Sequence, residues 1–226
     1  MDRRLFLKES AAGVAILLSL IVSACSDNGF LGNVPKGSVD LGIVIKREDG
    51  STYNLYWSKC NLGASKPWDY GDYYAWGEYE TKDDISFENY KWFDDSMVTK
   101  YTGIDRTVLD WEDDAAHDKL GGKWRMPTDE EWAALREQCS WKWVTKNGVY
   151  GYQVTCKTGR SIFLPAAGNS YRNELKQVGS NGYYWSSALK PDAYMLAWTV
   201  SFSSEKIFLM GQYRYNGFSV RPVIEY

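Results

Sequence analysis

The strongest constraint on the fold is a forty-residue stretch, Asn61 to Lys100, in which neither a helical nor a strand period persists. Gly63, Pro67, Gly71 and Gly77 interrupt it, and Trp68, Tyr70, Tyr73, Tyr74, Trp76 and Tyr79 fill it. A structureless segment this long is uncommon inside a compact domain, so it has to be packed by its own aromatic side chains. Aromatics make up 16% of the 226 residues, too many for a disordered chain. The length suits one domain or two very small ones. A net charge of −3 with mixed signs argues against nucleic-acid binding through phosphate neutralisation. The single histidine, His117, excludes any site that needs two imidazoles.

The first residues have the form of an export signal. Arg3, Arg4 and Lys8 precede an apolar run, Ala11 to Val22, which is too short to span a bilayer and suits a signal peptide. Val22-Ser23-Ala24-Cys25 resembles the bacterial lipobox, making Cys25 the expected acylated residue and 1–24 the expected signal peptide. Arg3-Arg4-Leu5-Phe6-Leu7-Lys8 also looks like a twin-arginine pattern, with the general secretory route as the alternative. Removing residues 1–24, with three cations and two anions, would leave 202 residues at a net charge of −4. Two or three acyl chains hold a protein on a membrane, at about 0.8 kcal/mol per buried CH₂. Residues 25–38 read as a flexible tether, of about 20 Å root-mean-square reach. The expected body is a single domain over 39–226.

Within that body, Ile43–Glu48 and Thr52–Trp57 flank Asp49-Gly50, which predicts a hairpin with a type I′ turn. A helix is expected from Thr107 or Asp110 to Leu120, stopped by Gly121-Gly122. Its wheel groups Val108, Leu109, Trp111, Ala115, Ala116 and Leu120 on one half, and Asp110, Asp113, Asp114 and His117 on the other. A second helix begins with Thr128-Asp129-Glu130-Glu131, a capping box, and turns Trp132, Leu135 and Cys139 to one face. Asn147-Gly148 supplies another hairpin turn. Strands are expected over 161–164, 183–187, 194–202, 206–209 and 218–224. The predicted class is α+β: two short helices, one antiparallel sheet system and long loops.

Seven ordered stretches, among them Lys59-Cys60-Asn61-Leu62-Gly63-Ala64, Tyr74-Ala75-Trp76-Gly77-Glu78, Gly122-Lys123-Trp124-Arg125-Met126-Pro127-Thr128 and Gly217-Phe218-Ser219-Val220-Arg221-Pro222-Val223, resemble the Fibrobacter succinogenes major paralogous domain family of Bacteroidetes lipoproteins. That family is similar to the formylglycine-generating enzymes, whose fold is a variant of the C-type lectin fold; Trp124 to Trp132 and Gly217 to Val220 carry the likeness. The resemblance implies that architecture and a place at the cell envelope, on the outer membrane. It does not imply the oxidase chemistry, because no cysteine follows Cys156. Cys60 and Cys139 stand where the family pattern often has cysteine. The resemblance therefore implies a Cys60–Cys139 disulfide with Cys156 free; a Cys139–Cys156 bridge, or three buried thiols, are the alternatives. Lectin-like folds often bind calcium, and Glu112, Asp113 and Asp114 could offer oxygens, though at most two of three consecutive helix residues can share an ion. No other metal or cofactor is expected.

Chemistry-bearing residues are sparse. Asp113 and His117, one helical turn apart, could form an acid/base pair, or belong to an ordinary solvated helix face. Arg125 is expected to anchor the loop before the second helix by pairing with a carboxylate, and Trp185 to lie in the core. No G-x-S-x-G elbow is present, and no catalytic residue is assigned. The loops Ala167–Asn173 and Gly211–Asn216 combine aromatics with Arg and Asn, so Tyr171, Arg172, Asn173, Tyr213 and Arg214 form a candidate glycan-binding rim. The reading is a membrane-anchored binding or adhesion module for glycan or surface protein. An enzyme using carboxylates on a polysaccharide and a structural subunit of a surface assembly are the alternatives.

Overall fold

A computed structural model describes residues 34–94, 97–103, 106–172 and 174–226. In chain order the elements are β1 (Ser38–Lys46), β2 (Thr52–Ser58), β3 (Phe93–Asp94), β4 (Met97–Val98), a 3₁₀ turn (Trp111–Asp113), α1 (Ala115–Leu120), α2 (Asp129–Gln138), β5 (Cys139–Lys146), β6 (Val149–Cys156), β7 (Ser161–Pro165), β8 (Asn169–Tyr171), β9 (Glu174–Lys176), β10 (Asn181–Leu189), β11 (Leu196–Ser203), β12 (Ile207–Tyr213) and β13 (Val223–Glu225). The fold is mostly antiparallel β with two short helices. The expected single sheet system is instead several small sheets: β1-β2-β13, β5-β6-β7 and β10-β11-β12, with two-stranded β3-β4 and β8-β9. Isolated bridges link them, including Tyr74 to Phe218, Ser170 to Gly217, Tyr184 to Ser219 and Arg125 to Val223.

The two hairpin turns differ from one another. At Asn147-Gly148 both residues have positive φ (48° and 80°), so β5 and β6 join through the expected type I′ turn. Between β1 and β2 only Gly50 has positive φ, Gly50 N–H donates to Arg47 O, and Arg47 N–H donates to Ser51 O. That turn is type I followed by a bulged glycine, one residue longer than expected, because Asp49 keeps an ordinary negative φ and accepts from Ser51 instead.

Helix α2 forms as predicted. The Thr128 side chain accepts from Glu131 N–H at 3.2 Å, and the Glu131 carboxylate accepts from Thr128 N–H at 2.8 Å. Glu131 is nevertheless buried, because Arg125 pairs with it through both guanidinium nitrogens and Tyr53 donates its hydroxyl to it at 2.7 Å. Arg125 also reaches Glu225 on β13, so it does anchor the loop before α2.

The first predicted helix splits at Asp114, and its wheel holds only in part: Ala115 and Ala116 are buried and Leu109 packs on the core as expected. Val108, Trp111 and Leu120 are exposed, whereas Asp113 and Asp114 are buried. Asp114 is the N-cap of α1: one oxygen accepts from Ala116 and His117 N–H, and the other accepts from Met126 N–H at 2.8 Å. Asp113 accepts from Lys100 Nζ at 2.5 Å and from the Tyr101 hydroxyl at 2.6 Å.

The disulfide also departs from the expected pairing. Cys139 bonds Cys156 rather than Cys60, and no free thiol remains among the described residues. The cause is register: the first residue of β5 pairs with the last of β6, Cα atoms 4.2 Å apart.

Two main cores result. One holds Trp57, Trp132, Leu135, Val154, Leu164, Tyr184 and Phe202; the other holds Tyr74, Trp76, Tyr101, Met126, Trp185 and Phe218. Trp76 Nε1 donates to Ser186 O and Trp185 Nε1 to Tyr74 O, so the aperiodic segment is packed by its own aromatics. Burial pushes the Tyr184 phenol up to about 12, and raises those of Tyr53, Tyr73, Tyr74, Tyr90 and Tyr101 further. A folded-state value above the unfolded one near 10 gives stability that is complete below pH 10 and lost as pH rises above it. We expect chemical denaturation at stepped pH to show stability flat from about pH 8 to 10 and falling between about pH 10 and 12, with a late group of phenols ionising as the protein unfolds.

Candidate functional site

Two loops with chemistry-bearing side chains are tied together by backbone. Ser170 and Gly217 exchange two N–H···O bonds of 2.9 Å, which sets Tyr171, at the end of β8, beside Tyr215, just past β12. The Tyr171 and Tyr215 ring centroids are 6.2 Å apart at 49°, and Tyr215 and Tyr213 lie 5.2 Å apart and within 15° of parallel. Phe87 meets Tyr215 edge-on at 5.3 Å and continues to Phe93 at 4.3 Å. The result is a ridge of aromatic rings. Tyr213 is half exposed, while Tyr171 and Tyr215 are partly covered. Tyr215 is held from below by the small cluster of Ala75, Ile85 and Tyr90, whose burial also raises its phenol pKa.

Charged groups flank Tyr171. The Arg172 guanidinium lies 5.5 Å from its ring centroid and the Lys176 ammonium 5.7 Å. Arg172 is held in the left-handed region (φ 50°), donates its N–H to Ile85 O at 2.9 Å, and pairs through its side chain with Glu88. That carboxylate raises the Arg172 pKa. The segment around Ile85–Glu88 therefore forms one wall of the ridge.

Of the sequence-predicted rim, Tyr171, Arg172 and Tyr213 come together, and Asn173 and Cys25 lie outside the described residues. Arg214 does not belong to it. It is fully buried, donating Nε to the Tyr90 hydroxyl at 2.9 Å, Nη1 to Tyr101 O and Tyr194 O, and Nη2 to Lys100 O, with its plane 4.7 Å from Trp76. Arg214 and Tyr215 lie in the turn that follows β12, closed by Asn216 N–H donating to Tyr213 O at 3.0 Å; the turn sends Arg214 inward while Tyr213 and Tyr215 stack on its outer side. Tyr215, Phe87 and Glu88 were missed. Tyr215 lies within the Gly211–Asn216 loop; the other two depend on contacts across more than eighty residues.

The remaining candidates separate. His117 does not meet Asp113; its ring lies edge-on to Trp111 at 4.4 Å, and its Nδ1 is buried without a hydrogen-bond partner among the described residues. Three oxygens of Asp113 and Asp114 are engaged at 3.1 Å or less, by Lys100, Tyr101 and backbone amides, so these two carboxylates serve the scaffold. Trp185 is fully buried, as expected. Asp129 and Glu130 are neighbouring carboxyls at the start of α2, where burial and then Glu130 push Asp129 up to about 6.

A family described as a domain of unknown function (DUF8237) matches residues 141–223. That span runs from β5 to β13 and includes Tyr171, Tyr213 and Tyr215, but not Phe87 or Glu88. No curated protein and no solved structure matches the chain. Among the described residues no helix is long and apolar enough to cross a membrane.

Proposed function

We propose that this chain is a lipid-anchored module of the cell envelope, on the outer membrane, that binds carbohydrate through the tyrosine ridge without catalysis, on a scaffold of the C-type-lectin-like kind. The observation that carries the binding reading is the meeting of Tyr171 and Tyr213 on either side of Tyr215, with Arg172 and Glu88 at the edge. Aromatic faces pack against the C–H surfaces of sugar rings, and guanidinium and carboxylate groups hydrogen-bond the hydroxyls around them. The anchor reading rests on Val22-Ser23-Ala24-Cys25 behind a short apolar run.

A glycan array identifies the ligand, and calorimetry then tests the ridge. Tyr171→Ala and Tyr213→Ala are each expected to weaken binding by about 1 to 3 kcal/mol, by analogy with stacking on other planar ligands. Tyr213→Ala should leave stability within about 0.5 kcal/mol, since its ring is half in solvent. Unchanged affinity in both variants removes the ridge from the binding reading. The anchor is tested separately: Cys25→Ser cannot form the thioether, so the variant should move from the detergent phase to the aqueous phase, and partitioning equal to wild type would refute acylation at Cys25.

A further inference from the structure

From Gln138 to Asn173 the chain runs thirty-six residues without one Asp or Glu, while carrying Lys142, Lys146, Lys157, Arg160 and Arg172. Elsewhere it is acidic, with 29 carboxylates against 26 cations in all, so charge is segregated along the sequence. The fold converts this into a surface. Lys142 and Lys146 are four apart on β5 and share one face of the β5-β6-β7 sheet, while Trp141 and Trp143 on the other face pack on the core. Lys157 and Arg160 stand in the loop that joins β6 to β7. Lys146 lies 6.0 Å from the rings of both Trp68 and Phe163, and Lys66 lies 5.8 Å from Trp68, so an aromatic is interleaved with the cations. Among the described residues Lys142, Lys146 and Lys157 make no ion pair with a carboxylate, and Arg160 pairs only with Asp40, at 2.7 Å.

That last pair locates the surface. Asp40 lies near the start of β1, and Thr158 in the same basic loop donates to Leu41 O. The cationic loop thus sits against the place where the described chain begins. Only residues 26–33 separate Cys25 from Val34, and a chain of that length spans at most about 30 Å.

We propose that the lysine-bearing side of the edge strand β5 and the β6–β7 loop lie on the anionic headgroups of the leaflet that holds Cys25, so that the domain has a fixed orientation on its membrane. The inference rests on the acylation of Cys25. Charge complementarity and the short connection both favour a lipid surface over a soluble polyanion, and Trp68 suits the water–lipid boundary. A lysine at an anionic surface gains roughly fivefold in binding, and the gain fades within a Debye length.

The test uses the full acylated chain reconstituted into vesicles of phosphatidylcholine alone, or of phosphatidylcholine mixed with phosphatidylglycerol. Lysines are labelled with an amine-reactive reagent and read by peptide mass spectrometry. Labelling of Lys142, Lys146 and Lys157 is expected to fall about fivefold in the anionic vesicles, to recover at about 0.5 M salt, and to leave Lys119 and Lys123 unchanged. Equal labelling in both vesicle types overturns the orientation while leaving the anchor intact. Equal protection by dextran sulfate on neutral vesicles reassigns the surface to an acidic polysaccharide and also overturns it. Failure to float with either vesicle refutes the anchor, and the inference with it.

Discussion

Replacing Arg214 with alanine should destabilise the protein by about 3 to 5 kcal/mol, because it leaves several buried acceptors unsatisfied and a cavity the size of the side chain. The guanidinium is wholly inside, has no carboxylate partner among the described residues, and serves the Tyr90 hydroxyl and three backbone carbonyls. Without it those acceptors stay dry and unbonded, and Trp76 loses a neighbour. Burial lowers the pKa of this arginine, yet a guanidinium remains protonated at neutral pH. Arg214→Lys keeps the charge but cannot reproduce a planar fork with donors in several directions, so it should recover little. The midpoint of urea unfolding is the measurement, with melting temperature falling by roughly 10 °C or more. A loss below about 0.5 kcal/mol would place Arg214 at the surface.

Trp132→Ala should cost about 3 to 5 kcal/mol for a different reason. The ring is fully buried, 4.7 Å from Trp57 and 5.8 Å from Tyr184, and its Nε1 donates to Trp185 O at 3.1 Å. Truncation leaves a large cavity where α2 meets β2 and β10. Trp132→Phe fills most of that space and should cost markedly less. Thr128→Ala, three residues before Glu131 on the same helix, removes only the N-cap acceptor and should cost about 1 kcal/mol. Equal losses at the two positions would mean that α2 does not hold the sheets together.

Where structure followed local chemistry, the sequence was readable. Thr128 and Glu131 specify the start of α2 within four residues, and Asn147-Gly148 specifies the β5–β6 turn within two. Where long-range partners decide, it was not. A helical wheel sends Asp113 and Asp114 to solvent, yet Lys100, Tyr101 and the Met126 amide compensate them inside. The composition of Ala167–Asn173 and Gly211–Asn216 suggested five similar rim residues, but the turn after β12 sent Arg214 to the core and left Tyr213 and Tyr215 outside. The Cys139–Cys156 bond follows from strand register, which the Asn-Gly turn sets: counting outward from Asn147 and Gly148 pairs the two cysteines.

The bridges made by residues 217–226 bear on the timing of folding. Gly217 pairs with Ser170, Phe218 with Tyr74, Ser219 with Tyr184, Val223 with Arg125 and Trp57, and Tyr226 with Asn54. These are the seams between sheets, and they are closed by residues made after every strand they join. At about 5 to 20 residues per second, earlier hairpins wait many seconds with open edges before those residues emerge. Until then the seams stay open and the body remains threadable, the condition that export of an unfolded chain requires; export of a folded one would have to wait for residues 217–226 to insert.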